Sequence, residues 1–384
     1  MKILFIKEKR SPSGIEGIGV YLIRLCKKLN DLKIPYLVIY NDKDELYKKM
    51  KESNIKVKVF DLPPYSLKNL INKRGRVLET REFISNLVKR EKFTHINVHF
   101  PHLIQYIDER LRVPLIATWH GAFVDNKPID IINFKNIFYP KKILKQIYLK
   151  KFVYNFDKAQ HVIVPSIAAK MTAVKKYAVN EKKITVNPYG VENIVNRNYR
   201  NIKKELNFKS DDKIVLCAGR VTKDKGVEDF CNVARFFNKK KNFKFVFLGG
   251  YRDKSYYDEI LKKYSRDVFF LGMRPDIYDF YNSSSLFLFL SHRESAGIVL
   301  SEAMLFGLPL VSWNIIGVNE MFKDGVQGKM REFGDISGII NDVEEILTNE
   351  KLYNYLSLES KKHSNNHLID KSVNNLINVF KKFT

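Results

Sequence analysis

The chain alternates short apolar runs with helix-length stretches, and this alternation constrains its fold more than any other feature. In the first half the runs are Ile3-Ile6, Tyr36-Tyr40, Lys56-Phe60, His95-His99, Leu115-Thr118, His161-Val164 and Ile184-Val186. In the second they are Ile214-Ala218, Phe243-Leu248, Val268-Leu271, Leu286-Leu290 and Leu310-Val311. Strands alternating with helices form parallel sheets with helical crossovers. Two successive sets imply an α/β chain of two doubly wound, Rossmann-like domains. We expect one domain over residues 1–188 and a second over 189–366. A polar linker begins at Asn187-Pro-Tyr-Gly190 and runs to about Asn207. The segment 367–384 has helical apolar spacing and is expected to pack back on the first domain. At 384 residues the chain exceeds one ordinary core.

Composition narrows the class. With 45% hydrophobic and 28% charged residues the chain is globular. No window of 18 uncharged apolar residues occurs, so no membrane-crossing helix is expected. Met1-Lys-Ile-Leu-Phe-Ile-Lys7 reads as a first strand rather than a signal peptide. Cys26, Cys217 and Cys231 show no ligand spacing and suit a reducing compartment, hence the cytoplasm. The net charge of +25 is unevenly spread: residues 1–200 hold 39 Lys and Arg against 18 acids, and 201–384 hold 28 against 24. The basic field therefore belongs to the first half, where it attracts an anionic surface or a phosphorylated substrate.

Open parallel sheets bind ligands at the carboxyl ends of their strands, so a cleft between two facing sheets is the expected site. Several motifs fall just after strands. Ser11-Pro-Ser-Gly-Ile-Glu-Gly17-Ile-Gly19 follows the first; its glycines allow a phosphate close to the backbone, although it completes neither G-x-G-x-x-G nor a Walker A loop. Thr118-Trp-His120-Gly follows another, and its histidine can donate to a hydroxyl. His99 and His102 are secondary lining candidates. Ala218-Gly-Arg220-Val-Thr-Lys-Asp-Lys225-Gly226 places two cations at a strand–helix junction, which suits a diphosphate. Leu248-Gly-Gly250 and Phe270-Leu-Gly-Met273 could set backbone against a nucleobase edge. Finally, Glu294-Ser-Ala-Gly-Ile-Val-Leu-Ser-Glu302 joins two carboxylates across a turn and a helix start near Gly297. Carboxylates accept only, so they suit a ligand rich in hydroxyls.

The order of these motifs resembles the GT-B glycosyltransferases of family 4, the retaining nucleotide-sugar enzymes. The run from Glu294 to Pro309 resembles that family's E-x7-E signature with its trailing G-x-P. Arg220 to Gly226 resembles its phosphate-binding segment, Asn187-Pro-Tyr-Gly-Val-Glu192 its interdomain crossing, and His120 its first-domain histidine. The resemblance implies that Glu294 holds donor-sugar hydroxyls, with backbone amides near Gly297 and Ile298. It implies that Glu302 holds the ribose, and that Arg220 and Lys225 stabilise the leaving diphosphate. Gly17 and Gly19 would lie against that diphosphate, and His120 would touch the donor sugar. No metal and no cofactor beyond the nucleotide-sugar is implied. Ala296, Leu290 and Ile316 depart from the family's usual residues, which bears on the sugar fit.

The expected acceptor is a glycan or a lipid-linked sugar in cell-surface polysaccharide or glycolipid synthesis. Residues 134–152 mix aromatics with six lysines and no acid. After Pro140, helical spacing puts Ile143, Leu144, Ile147 and Phe152 near one face, flanked by Lys141, Lys142, Lys145, Lys150 and Lys151. That is the pattern of a basic amphipathic helix on anionic lipid. The protein is thus expected on the inner face of the cell membrane. A nucleotide-sugar epimerase and a non-catalytic basic protein binding nucleic acid or membrane are the alternatives. No nucleic-acid motif is present, and nucleic acid is not the expected partner. Asp42-Lys-Asp44 reads as a surface turn rather than a manganese D-x-D.

Overall fold

The computed structural model describes residues 1–9, 17–62, 74–121, 156–238 and 242–383. Residues 11–16 of the glycine loop, and 134–152 with all five flanking lysines, lie outside the described residues. The chain divides into two compact units, Met1–Gly190 with Ile369–Thr384, and Val191–Leu368.

The first unit is built on β1 (Ile3–Lys7), β2 (Tyr36–Tyr40), β3 (Val57–Val59), β4 (His95–Val98), β5 (Leu115–Thr118), β6 (His161–Val164) and β7 (Ile184–Val186). They form one sheet in the order β3-β2-β1-β4-β5-β6-β7, every pair parallel. The helix Gly17–Asp31 buries Leu22, Leu25, Cys26 and Leu29 along one side, the spacing that an amphipathic helix requires. The helix Ile369–Lys381 joins the unit through Val373, Leu376, Ile377 and Phe380. Its backbone is held as well: His95 Nε2 lies 3.0 Å from the Phe380 carbonyl, and Asn187 donates to the Ser372 carbonyl at 3.1 Å.

The second unit holds β8 (Lys213–Ala218), β9 (Phe243–Leu248), β10 (Phe269–Phe270), β11 (Leu286–Phe289), β12 (Leu310–Trp313) and β13 (Gly328–Arg331). Their order is β10-β9-β8-β11-β12-β13, again all parallel. Alternate residues of one strand serve two cores. Val215, Cys217, Phe245, Phe247, Leu286 and Leu288 enter one; Ile214, Leu216, Val246, Leu248, Phe287 and Phe289 enter the other. A sheet covered on both faces gives the near-continuous apolar runs seen in the sequence.

Two expectations need correction. β13 is absent from the sequence-derived strands, because Gly-Lys-Met-Arg has no apolar run; it pairs with β12, at the sheet edge. Part of the stretch expected to be linker up to Asn207 is packed. Val191 bridges to Leu368, Ile194 and Ile202 are buried, and Ile202–Glu205 is helical.

Candidate active site

In each sheet the strand order reverses once, between β1 and β4 and between β8 and β11. Such switch points leave a crevice beyond the carboxyl strand ends, where open α/β sheets take ligands. In the second unit, the segments leaving β8 and β11 are the ones carrying the cations and the first carboxylate. The turn after β8 ends in a short 3-10 stretch, Lys223–Lys225, closed by Gly226 at φ +63°. A Cβ at Gly226 would stand 1.7 Å from the Leu290 carbonyl oxygen, so only glycine lets the two segments touch. The contact is reinforced by His292 N–H donating to the Asp224 carbonyl at 2.9 Å. The Ser291 hydroxyl lies 3.2 Å from that carbonyl and 2.8 Å from the carbonyl of Arg293.

This lock brings Lys225 to Glu294. Lys225 Nζ sits 2.9 Å from Glu294 Oε2, and both side chains keep a minor fraction of their surface in solvent, 18% and 14%. Glu294 Oε1 accepts from the amides of Ser295 at 2.8 Å and Ala296 at 3.3 Å. Burial pushes the Glu294 carboxyl up, but the Lys225 charge and hydrogen bond, with the two amides, outweigh it. The net result holds Glu294 below its ordinary value. Arg220, half-buried, lies on the same turn.

The turns after β8, β9 and β10 interlock. Gly219 N–H donates to the Leu248 carbonyl, Val221 to Gly250 and Gly249 to Gly272, at 2.9, 2.8 and 2.7 Å. Met273 follows directly and is exposed. Gly297 caps the helix Ile298–Leu305 with no side-chain capping bond, so the Ile298 amide starts the helix. Glu302, on that helix, is buried and accepts from the Tyr281 hydroxyl at 3.2 Å. Burial, then the Glu302 charge, raises the Tyr281 phenol well above its usual value. Glu294 and Glu302 therefore differ in kind: one is paired with a cation, the other with a phenol.

In the first unit, His99 follows β4, His120 follows β5 and Tyr189 follows β7. Their side chains join: His99 Nδ1 lies 3.0 Å from His120 Nε2, and His120 Nδ1 bonds the Tyr189 hydroxyl. The sequence flagged both histidines but not Tyr189, and gave no sign that the three connect. His102 Nε2 meets Glu8 at 2.7 Å. Gly17 and Gly19 open the helix Gly17–Asp31. A Cβ on Gly19 would come within 2.9 Å of two Leu46 carbons, so the helix packs closely against Leu46 there. Asp44 caps the helix Glu45–Glu52 by accepting from Leu46 and Tyr47, and Lys9 pairs with Asp42 at 3.0 Å; both aspartates serve the turn.

Two sequence families account for nearly all of this architecture. "Glycosyl transferases group 1" matches residues 198–363 and "Glycosyltransferase Family 4" matches 15–193. The chain belongs to glycosyltransferase family 4. It is 25% identical over 285 residues to a capsular polysaccharide biosynthesis glycosyltransferase of Staphylococcus aureus, covering 68% of this chain and 73% of that one. It is 26% identical over 290 residues to the UDP-Gal:alpha-D-GlcNAc-diphosphoundecaprenol alpha-1,3-galactosyltransferase of Escherichia coli, covering 71% and 70%. The fold is that of Anabaena HepE, solved with UDP and glucose. That likeness has a TM-score of 0.77 at 16% identity and covers 100% of both chains. The fold class is thus the GT-B one, and this glycosyltransferase carries its cation–carboxylate pair at the switch point of the second unit.

Proposed function

We propose that this glycosyltransferase moves a sugar from a nucleotide-sugar to a glycan or lipid-linked acceptor, with retention, in making cell-surface polysaccharide or glycolipid. The observation that carries the reading is the Lys225–Glu294 pair, 2.9 Å apart at the second switch point. The relatives' chemistry supports it: one acts in capsule synthesis, another on a diphosphate-linked lipid acceptor, and the Anabaena neighbour takes UDP and glucose.

In this reading the second unit takes the donor. Arg220 and Lys225 receive the diphosphate, with the first amides of the Ile298–Leu305 helix assisting from its positive end. Glu294 accepts from the transferred sugar's hydroxyls and Glu302 from the ribose. The turns through Gly250 and Met273 flank the base. The first unit takes the acceptor. As the C1–phosphate bond breaks, negative charge builds on the diphosphate, and fixed cations stabilise it without reorganising. The acceptor oxygen bonds to C1 on the same face, and its proton passes to the departing phosphate oxygen. No side-chain nucleophile, metal or further cofactor is required.

Calorimetry with UDP, GDP and ADP, followed by NMR of the product's anomeric centre, tests this. Binding of one nucleoside diphosphate and a product with the donor's anomeric configuration is expected. An inverted product refutes retention, and donor turnover without acceptor refutes transfer in favour of epimerisation. The excess of basic residues in 1–200 further supports peripheral docking on the inner membrane face, through Lys141, Lys142, Lys145, Lys150 and Lys151. Failure to co-sediment with anionic vesicles at low salt rejects that part.

A further inference from the structure

The loop that touches Glu294 also walls a cleft in the second unit. Gly317 stands at φ +94°, and a Cβ there would meet the Glu294 carbonyl oxygen at 2.4 Å, so the loop lies directly on that residue's backbone. Around Gly317 the chain makes one tight turn. The amides of Val318 and Asn319 both donate to the Ile315 carbonyl, at 3.0 and 3.1 Å, and Asn314 N–H donates to the Arg331 carbonyl at 2.7 Å. On this turn Asn314 and Asn319 line an open cleft of about 500 Å³, beside the carboxyl ends of β12 and β13. That volume lies in the range of small-molecule sites, about 300–1,000 Å³. The lining includes none of Arg220, Lys225, Glu294 and Glu302, so the transfer reading gives the cleft no task.

Three carboxylates enter the lining, and two of them are preset as acceptors. Asp324 Oδ1 accepts from the Met330 amide at 2.7 Å, and Glu332 Oε1 from the Asn314 side-chain amide at 3.0 Å. One oxygen thus fixes each carboxylate, while Asp324 Oδ2 and Glu332 Oε2 meet no donor among the described residues. Asp335, the third, caps the helix Ile336–Thr348 by accepting from Gly338. Lys323 adds an ammonium, and the Asn319 amide both donates and accepts. Arg331 lines the cleft too, but its fork is spent on Asp342, with both contacts at 2.6 Å. The charge in the lining is therefore three carboxylates against Lys323. Phe322, buried, and Met330, half-buried, bring apolar surface of the core into the same lining.

This mixture selects among ligand classes. The excess of carboxylates repels phosphates, nucleotides and acidic sugars. A purely apolar ligand would strip water from those carboxylates and return no hydrogen bond. Among the described residues no group of three His, Cys, Asp or Glu side chains is placed to hold a metal ion. A neutral sugar satisfies the set. Its hydroxyls donate to Asp324 and Glu332 and accept from Lys323 and Asn319, while its C–H face covers Phe322 and Met330. We infer that this cleft is a neutral-glycan site of the second unit, separate from the residues proposed to take the nucleotide-sugar. The inference rests on the transfer reading only in taking the glycan to be the reaction's acceptor or product.

Methyl NMR of protein labelled with 13C at its seven methionines reads the cleft without any turnover; Met330→Leu assigns the Met330 signal. The probes are neutral trisaccharides of glucose, galactose and N-acetylglucosamine, with trigalacturonate as the acidic control. Each is titrated to about 10 mM, where a site with a Kd of about 1 mM is mostly filled. At least one neutral trisaccharide should shift Met330 and saturate, trigalacturonate should not, and added UDP should not displace the bound sugar. The double variant Asp324→Asn/Glu332→Gln keeps the two anchoring oxygens and removes two charges. It should weaken the neutral sugar about tenfold, as charge-assisted hydrogen bonds become neutral ones, and let trigalacturonate bind. A Met330 signal that no neutral trisaccharide moves, trigalacturonate binding as well as they do to the wild type, or displacement by UDP overturns the inference. A protein that transfers no sugar from any nucleotide donor would sink the transfer reading, while these titrations would still decide the cleft.

Discussion

Glu294→Gln should tighten nucleoside-diphosphate binding while abolishing transfer. In the free protein Lys225 is already engaged, its ammonium 2.9 Å from the Glu294 carboxylate. A diphosphate oxygen bonding that ammonium at about 2.8 Å comes within about 5.7 Å of the carboxylate oxygen. At that separation two unit negative charges repel by about 0.7 kcal/mol at water's dielectric and about 3 kcal/mol at an effective value near 20. The pair sits between those limits, being mostly but not wholly buried. Removing the carboxylate charge should therefore improve affinity by about 1.4 kcal/mol, or tenfold. Glutamine keeps an oxygen for the Ser295 and Ala296 amides, so the turn is preserved. Transfer is lost because the amide holds the sugar hydroxyls less strongly than the carboxylate. Calorimetry at about 0.15 M salt and at about 1 M salt measures the effect, and the gain should shrink as the screening length falls from about 8 to 3 Å. Affinity that is unchanged or weaker in Glu294→Gln refutes the placement of the diphosphate at Lys225.

Arg220→Ala should lower kcat by about 10²–10³-fold, or 2.7–4 kcal/mol, by analogy with removing one preorganised donor from developing charge; unaltered turnover in the folded variant rejects that role. Gly226→Ala forces a side chain onto a φ of +63° and 1.7 Å from the Leu290 carbonyl oxygen. It should lower stability by about 2 kcal/mol or more and detach Lys225 from Glu294, whereas Gly219→Ala, with open space around it, should do neither; melting curves and activity compare the two. The Glu294 carboxyl is held below 4.5, its ordinary value. Its ionisation therefore adds stability above that pH, and the contribution is lost as pH falls through the lower folded value. Urea unfolding should show the wild-type advantage over Glu294→Gln shrinking below pH 4.5; an advantage that grows on acidification contradicts the sign. With Arg220 and Lys225 at the diphosphate as proposed, a chelator should leave transfer unaffected.

The doubly wound class was legible because burial on both faces of a sheet writes itself as apolar runs, and every run named from the sequence overlaps an observed strand. β13 was not legible: Gly328 to Arg331 holds only one large apolar side chain, and its strand geometry comes from pairing with β12. At the site, Arg220, Lys225, Glu294 and Glu302 were each visible as polar residues after apolar runs. That Lys225 and Glu294 form a pair was not, because it depends on β8 and β11 being neighbours and on Gly226 passing against the Leu290 carbonyl. The close approach of Leu46 to Gly19 was not legible either, because it belongs to helix packing, which no local pattern encodes. Tyr189 was hidden inside a crossing motif, and its link to His120 spans strands far apart in sequence.

The return of the Ile369–Lys381 helix to the first unit also bears on the order of assembly. The chain leaves that unit after Gly190 and re-enters it at Ile369. During synthesis, residues 191–368 can close their own core while the earlier-made half still lacks the helix that covers Tyr21, His95 and Asn187 through Ser372 and Phe380. The unit translated first is thus the one finished last. Until its closing helix emerges from the ribosome, its exposed apolar surface is the part of the nascent protein most in need of a chaperone.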